Sequence, residues 1–149
     1  MTPMRWLFSS PAKIEHARVV AAISRAERET SGQIRVLVAR HRAADPVAAA
    51  TRHFTRLGME RTRRRNAVLI FLAPRSRRFA VIGDRGVHEK CGDEFWRQLA
   101  AAMEEDFRRG DFTAGLVRGV ERAGALLAEH FPPEKGDDNE VPDAVKEVD

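Results

Sequence analysis

The residues best suited to chemistry in this sequence flank two apolar stretches that are predicted to be strands. Asn66 comes directly before the first stretch, Ala67 to Ala73, and Asp84 comes directly after the second, Arg78 to Gly83. If the two stretches pair as a hairpin, Asn66 and Asp84 meet at one edge of the sheet. An amide and a carboxylate placed together in this way could bind a metal ion or a small polar ligand.

Further polar residues are predicted to reach the same edge. The loop Thr30-Ser31-Gly32 precedes another predicted strand, Gln33 to Arg40, which we expect to run parallel to the strand after Asn66. Oxygen ligands of these kinds suit a hard cation such as Ca²⁺ or Mg²⁺. The predicted cation ligands are Glu27, Asn66 and Asp84, and the predicted contacts for a small or anionic ligand are Asn66, Asp84, Arg85 and His88. The alternative is purely structural, with Asp84 capping a turn and Asn66 fixing a loop.

The opposite edge of the predicted sheet is rich in arginine. It lies at the carboxyl ends of two parallel strands, where ligands of open α/β sheets usually bind. A helix beginning at Pro46 adds its N-terminus there, so an anion could bind at this edge. The polar residues of this edge are Arg40, His41, Arg42, Asp45, Arg75 and Arg77. Asp45 has a simpler interpretation as the N-cap of the helix, and its charge opposes an anion.

Other kinds of chemistry have little support in the sequence. Cys91 follows His88 by three residues, but a Cys-His nucleophile needs a lowered thiol pKa and an orienting third group, and the sequence indicates neither. Ordinary packing of Cys91 is therefore favoured. No zinc-binding spacing, phosphate-binding glycine loop or Gly-x-Ser-x-Gly motif occurs. Nucleic-acid binding is disfavoured, because the aromatic residues mostly occupy helix core positions instead of alternating with arginines on a strand.

The charge of the chain is divided between a basic body and an acidic end. From Glu134 onward, seven acidic residues and two lysines give a net charge of −5. Because the whole chain has a net charge of +4, the residues before Glu134 carry +9. Arginine clusters at 61–65 and 75–78 could attract an acidic or phosphate-bearing partner, although a solvated, arginine-rich surface explains them more simply.

Length and composition predict a single cytoplasmic domain. A chain of 149 residues can bury a sufficient core without cross-links such as disulfides or bound metals. Its single cysteine excludes an internal disulfide and fits a reducing compartment. No apolar stretch reaches the roughly 18 residues of a membrane-spanning helix. The apolar residues 6–8 are too few for a secretory signal. We therefore expect a soluble protein in the cytoplasm with no membrane span.

Turn and capping signals predict the element order α-β-α-β-β-α-α. The first helix is predicted to begin at Ser10-Pro11, and the second runs from Asp45-Pro46 to Leu57. Asp93 and Thr113 are the predicted N-caps of the last two helices. Close packing against a neighbouring helix is predicted for Gly115, Gly119 and Gly124. The fold class is α/β, a three-layer α/β/α sandwich with a small mixed sheet.

This order sets the predicted domain boundaries. Residues 1–10 are an N-terminal extension, residues 11–131 are the folded domain, and residues 132–149 are an acidic tail. Pro132-Pro133 ends the domain. Because periodic apolar residues are missing after it, the tail is predicted to be disordered.

Four motifs carry a resemblance to a known family. They are Glu27-x-x-Thr30-Ser31-Gly32-x-Ile34-x-Val36, the strand Asn66 to Ala73, Gly83-Asp84-Arg85-Gly86-Val87, and Phe107-x-x-Gly110-Asp111-Phe112-x-x-Gly115-Leu116. Their order, between Ala12 and Phe131, resembles that of the TPM-domain family, also called TPM phosphatase. The resemblance implies an α/β/α sandwich with a mixed sheet, divalent-cation binding and, as in plant members, acid phosphatase activity. Many relatives carry a signal peptide and a trailing transmembrane segment, so this chain resembles a short, soluble member.

Three functions are consistent with these residues. The favoured one is a module that binds a divalent cation or a small ligand weakly through Glu27, Asn66 and Asp84, with Arg85 and His88 engaging any anionic group. The second is metal-assisted hydrolysis of a phosphomonoester, in which the cation activates water and arginine offsets the phosphate charge. The third is an adaptor without enzymatic activity, whose arginine loops bind an acidic partner or the protein's own tail.

Overall fold

A computed structural model of the protein describes residues 4–5, 13–134 and 145–148. The strands in these ranges are β1 (Met4–Arg5), β2 (Gln33–Ala39), β3 (Ala67–Ala73), β4 (Arg78–Gly83) and β5 (Val145–Val148). The helices are α1 (His16–Arg28), α2 (Pro46–Arg56), α3 (Arg85–Arg108) and α4 (Phe112–His130). Short 3₁₀ turns lie at Met59–Arg61 and Pro74–Ser76. Among these helices, none combines the length and the apolar character that crossing a membrane requires.

The strands form one mixed sheet in the order β1-β4-β3-β2-β5. β2 and β3 run parallel, and β3 and β4 form the antiparallel hairpin that the sequence predicts. β3 is central and every one of its residues is buried, as expected of an unbroken apolar run. The α/β class and the order α-β-α-β-β-α-α of the elements between β1 and β5 are confirmed.

Helices cover both faces of the sheet and so complete the three layers. One face packs against α1, α3 and α4 through a core that includes Ile34, Val36 and Val38 of β2. The other face packs against α2 through a smaller core that includes Leu37 and Ala39 of the same strand. The two cores take alternate residues of β2, because successive side chains of a strand point to opposite faces.

The start of α2 is predicted correctly and the start of α1 is not. Asp45 Oδ1 accepts a hydrogen bond of 3.0 Å from the Ala48 amide, as an N-cap should. α1 begins at His16 instead of Pro11. A tertiary contact fixes its start, because the Glu15 amide donates to Thr113 Oγ1 at 2.9 Å.

The starts of α3 and α4 also differ from the sequence prediction. Thr113 lies inside α4, and Asp111 caps that helix by accepting from the Ala114 amide at 3.1 Å. α3 begins directly after Asp84 and not at Asp93. The predicted start does mark a real break, because Gly92 has a positive φ of 72° and interrupts the helical conformation just before Asp93.

The glycines of α4 allow close helix packing, as predicted. A Cβ at Gly119 would lie 2.4 Å from Sδ of Met103 on α3, and a Cβ at Gly124 would lie 2.7 Å from Cβ of Ala26 on α1. Both distances are below 3.0 Å, which real Cβ contacts essentially never show. At Gly124 the neighbour is Ala26, which cannot move aside, so α4 approaches α1 more closely than an alanine would permit. At Gly119 the neighbour is the flexible side chain of Met103.

The C-terminal strand β5 differs from the expected disordered tail. Its four residues pair in parallel with Val36–Ala39 of β2. Residues 1–3, 6–12, 135–144 and 149 lie outside the described part of the chain, so most of the extension and most of the tail stay predictions. The observed strand, however, places part of the acidic end on the edge of the sheet.

Candidate functional site

Two edges of the sheet carry the polar residues that the sequence singles out. At the amino edge, β2 and β3 begin and β4 ends, as the pairs Gln33–Ala67 and Val68–Gly83 show. At the carboxyl edge, β2 and β3 end and β4 begins. The predicted cation ligands lie at the amino edge and the predicted anion-binding arginines at the carboxyl edge.

Asn66 and Asp84 lie close together at the amino edge. The Asp84 amide donates to the Ala67 carbonyl at 3.0 Å, and the Gln33 amide donates to the Asn66 carbonyl at 3.4 Å. The Asn66 side-chain amide donates to Ser31 Oγ at 3.2 Å in a buried environment. Asn66 therefore ties the loop before β2 to the start of β3.

Asp84 is bound on both carboxylate oxygens by Arg65. The Arg65 Nε–Asp84 Oδ2 distance is 2.6 Å and the Nη2–Oδ1 distance is 2.9 Å, which makes a bidentate pair. The Arg85 amide also donates to Oδ1 at 2.8 Å, so Asp84 caps α3 as well. Only 6% of Asp84 is exposed. Hydrogen bonding to Asp84 raises the pKa of Arg65 above its usual value.

The backbone around this pair leaves no room for a side chain at Gly86. A Cβ on Gly86 would lie 2.3 Å from the carbonyl oxygen of Arg64 and 2.6 Å from that of Arg65. The Gly86 amide donates to the same Arg65 carbonyl at 2.9 Å. Arg65 itself has a positive φ of 51°. This close approach brings the Arg65 side chain to Asp84.

Glu27 is held at the outer side of β2, away from Asp84. Its Oε2 accepts from the Ile34 amide at 2.8 Å and from Arg35 Nη1 at 2.6 Å. Arg35 is 2% exposed, so this ion pair is almost completely buried. Glu27 thus fixes the turn between α1 and β2 and satisfies an amide that faces away from β3.

The three predicted cation ligands share an edge, and in this arrangement an arginine binds each of the two carboxylates. Neighbouring strands lie about 4.8 Å apart, so about 10 Å separates β2 from β4. A cation would have to displace Arg35 from Glu27 and Arg65 from Asp84. Within residues 4–5, 13–134 and 145–148, no group of three or more His, Cys, Asp or Glu side chains could hold a metal ion. Cation binding at the amino edge stays a prediction.

His88 and Arg85 occupy the first turn of α3 beside this edge. His88 Nδ1 accepts a hydrogen bond of 3.2 Å from Trp96 Nε1, and the two rings lie 4.8 Å apart. Trp96 in turn covers Gly83, where a Cβ would lie 2.1 Å from the indole. Arg85 is exposed to solvent. His88 therefore has a packing role here, and its predicted contact with a ligand stays a prediction, as does that of Arg85.

The geometry around Cys91 agrees with the packing interpretation. Burial, with a smaller contribution from the nearby Glu129 carboxylate, raises the pKa of the Cys91 thiol to about 11. A nucleophilic cysteine needs a lowered pKa, because the thiolate is the reactive form. Cys91 packs against the larger core instead.

At the carboxyl edge, a cleft of about 620 Å³ is lined by four basic residues. Arg40 follows β2 and Arg75 follows β3. Because these strands are parallel, both arginines lie at the carboxyl edge. Lys13 and His16 reach the cleft from the start of α1. The cleft is therefore basic and lies where open α/β sheets usually bind their ligands.

An acidic side chain of the same protein lies in this basic cleft. Glu147 of β5 places Oε1 3.7 Å from His16 Nε2 and Oε2 3.8 Å from Arg40 Nε. The Arg40 amide and side chain also donate to the backbone of β5, to the carbonyls of Val148 at 2.7 Å and Glu147 at 3.1 Å. The carboxyl edge thus binds a carboxylate and a strand backbone together.

The sequence identified part of this cleft and missed the rest. Arg40 and Arg75 were predicted for this edge, and Asp45 has the capping role that was its simpler interpretation. His41, Arg42 and Arg77 are not among the residues that line the cleft. Lys13 and His16 were not predicted to line the cleft, because the sequence predicts a first helix that begins at Ser10-Pro11 and contains both residues. Glu147 was missed, although the apolar-polar-polar-apolar run of residues 145–148 offered a weak strand signal.

Comparisons with known proteins identify the fold. The family model of the TPM domain matches residues 10–126. The solution structure of the BA42 protein from the psychrophilic bacterium Bizionia argentinensis is 36% identical, with a TM-score of 0.83, and the match covers 89% of this chain and 92% of BA42. No curated protein matches.

A second solved structure has the same fold at lower identity. It is the N-terminal domain of a protein from P. gingivalis, which is 19% identical with a TM-score of 0.60. The match covers 81% of this chain and 82% of that domain. The family motifs quoted from the sequence, the match over residues 10–126 and the α/β/α sandwich agree. This chain belongs to the TPM domain family.

Proposed function

We propose that the protein is a binding module for anionic groups, carboxylate or phosphate, which it binds in the cleft of the carboxyl edge. The observation that carries this proposal is the Glu147 carboxylate, which lies between His16 and Arg40. The cleft thus holds an anionic group of the protein itself. An external ligand with the same charge would meet the same basic side chains.

The electrostatics of the cleft support an anion. Arg40, Arg75 and Lys13 are positively charged at neutral pH, and His16 adds a charge when protonated. Glu147 is the acidic residue that lines the cleft in the described part of the chain. One carboxylate therefore faces several cations, and the +9 charge of residues before Glu134 adds long-range attraction.

The ion pairs of the carboxyl edge are easier to exchange than those of the amino edge. At the amino edge, Arg65 and Arg35 hold their carboxylates at 2.6 to 2.9 Å. The Glu147 pairs are longer, and about half of each side chain is exposed. Exposed pairs of this kind typically stabilise a protein by about 0 to 1 kcal/mol. A stronger anion can therefore replace Glu147.

The proposal is for binding and not for hydrolysis. Metal-assisted hydrolysis of a phosphate ester would need ligands that hold the metal beside the bound phosphate. In the described ranges, His, Cys, Asp and Glu side chains do not gather into such a group. The acidic-partner function suggested by the arginine loops, in contrast, needs only the cleft and its charge.

A titration with inorganic phosphate tests the proposal. We expect amide NMR shifts at Val38–Arg40 and around Arg75 in the full-length protein. Glu147→Gln should tighten phosphate binding several-fold, because it removes the internal carboxylate. Arg75→Gln should weaken binding, whereas the matched control Arg61→Gln, an equal change on the other exposed 3₁₀ turn, should not.

Salt provides a second measurement on the same samples. Binding should weaken as sodium chloride is raised, because solvent-exposed charges are screened. Shifts confined to the amino edge, or equal affinities of the Arg75→Gln and Arg61→Gln variants, would contradict the proposal.

A further inference from the structure

The outer side of β2 is covered by two short elements of the same protein. β5 pairs with Val36–Ala39 at one end of the strand, and Glu27 accepts from the Ile34 amide at the other. The edge of β2 is thus filled by a separate four-residue strand, and not by a continuous part of the domain.

We propose that the outer, hydrogen-bonding side of β2, together with the basic cleft, binds an extended acidic segment of another protein as an added parallel strand. β5 is then the internal competitor of that segment. The inference rests on the proposed function, because the cleft supplies the anion-binding part of the site. The backbone of β2 supplies the remainder, since an added strand forms main-chain hydrogen bonds with an exposed sheet edge.

The side chains of β5 indicate which segment the edge accepts. Val145 packs against the core on the α1 face, and Val148 packs against the core on the α2 face. Glu147 lies on the same face as Val145 and reaches His16 and Arg40. The pattern is therefore an apolar residue, any residue, a glutamate and a second apolar residue, in extended conformation.

The contacts of β5 are weak enough to be exchanged. It has four residues, all of them partly or largely exposed, and parallel pairing is slightly less stable per residue than antiparallel pairing. β5 has one advantage over an external segment, because it belongs to the same chain as β2. A short linker of this kind gives an effective concentration in the millimolar range. If the β5 sequence itself has an intrinsic dissociation constant of about 0.1 mM for this site, an external segment would bind about tenfold more weakly in the presence of β5.

Charge complementarity favours an acidic peptide over other partners. The cleft beside the edge is basic, and the segment that occupies it comes from a region with seven acidic residues and two lysines. A nucleic acid could satisfy the charge but has no amide backbone to pair with β2. The peptide satisfies both requirements.

Peptide binding to full-length variants tests the inference. The variant Val145→Asp/Glu147→Lys should release β5, and Glu129→Gln on the exposed surface of α4 is the matched control, because both variants change the net charge by +1. The probe is a fluorescent peptide with the sequence of residues 144–149, measured by anisotropy. We expect the double variant to bind it about tenfold more tightly than the wild type or the control. A peptide with lysine in place of glutamate should bind at least about tenfold more weakly.

Amide hydrogen exchange locates the peptide. The Arg40 amide, which donates to Val148 in β5, should lose protection in the double variant and regain it with peptide. If the double variant loses its dispersed NMR spectrum, the single variant Glu147→Lys replaces it in the same comparison. Equal peptide affinity of wild type and released variant would overturn the competition by β5.

Two further outcomes separate the inference from the proposed function. Phosphate binding at the cleft without peptide binding would overturn the strand inference and leave the anion-binding function intact. Absence of both would overturn both. A concentration-dependent dimer of the wild type that the peptide dissociates would show that a second copy of this chain is the occupant, which also overturns the proposed partner.

Discussion

The substitution Gly86→Ala is expected to destabilise the protein strongly, because Gly86 lies against the backbone of residues 64 and 65. Its Cβ would be 2.3 Å from the Arg64 carbonyl oxygen, and real Cβ contacts essentially never fall below 3.0 Å. The chain must therefore open by about 0.7 Å, the difference between these distances. Neither neighbour is a flexible side chain that could move aside.

The expected loss of stability has two parts. Forcing one carbon into a packed site costs about 1 to 3 kcal/mol. Weakening the Gly86–Arg65 hydrogen bond adds about 1 kcal/mol. The sum is about 2 to 4 kcal/mol, which in a protein of this size corresponds to a decrease in Tm of about 5 to 15 °C.

Thermal unfolding followed by circular dichroism measures this decrease. The matched control is Gly58→Ala, where the same chemical change meets a positive φ of 70° but its nearest neighbour, Arg61 Cδ, is 3.6 Å away. It should cost about 1 kcal/mol. A Gly86→Ala protein that melts within about 2 °C of the wild type, or no lower than the control, would refute the close-contact reasoning.

Three further predictions concern single side chains. Cys91, with a thiol pKa of about 11 against 9.0 for a simple thiol, should react with iodoacetamide about 100-fold more slowly than glutathione-like thiols at pH 8; equal rates would contradict its burial. Asp45→Ala should lower stability by about 1 kcal/mol in urea unfolding, since α2 loses its N-cap, and an unchanged midpoint would contradict that role. In a calcium titration followed by amide NMR, shifts at Asp84 should appear in Arg65→Gln and not in the wild type, where the guanidinium occupies the carboxylate; equal shifts in both would show that the pair does not block the cation.

The central part of the fold could be predicted because its signals are local or follow from strand direction. The apolar run of β3 required cover on both faces, and the cap at Asp45 is a contact between residues three apart. The start of α1 depends instead on the tertiary contact between Glu15 and Thr113. β5 was missed for a similar reason, because its four residues form a strand only by pairing with β2.

The candidate sites were predictable to a similar degree. Strand direction alone brought Asn66 and Asp84 to one edge and Arg40 and Arg75 to the other. It could not reveal that Arg65 would occupy Asp84, because that pair depends on a left-handed backbone conformation and on a glycine contact. Side-chain pairing of this kind is decided after the sheet is assembled.

The cover over the outer side of β2 has a consequence for how the protein can be handled. Beneath it lies Gln33–Ala39, a run of mostly β-branched and aliphatic residues with one charge. An uncovered strand of this composition is a template for fibril growth. A C-terminal truncation or a bulky C-terminal fusion that displaces β5 would thus open β2 to ligands and also to self-association. Affinity tags therefore belong at the other end of the chain.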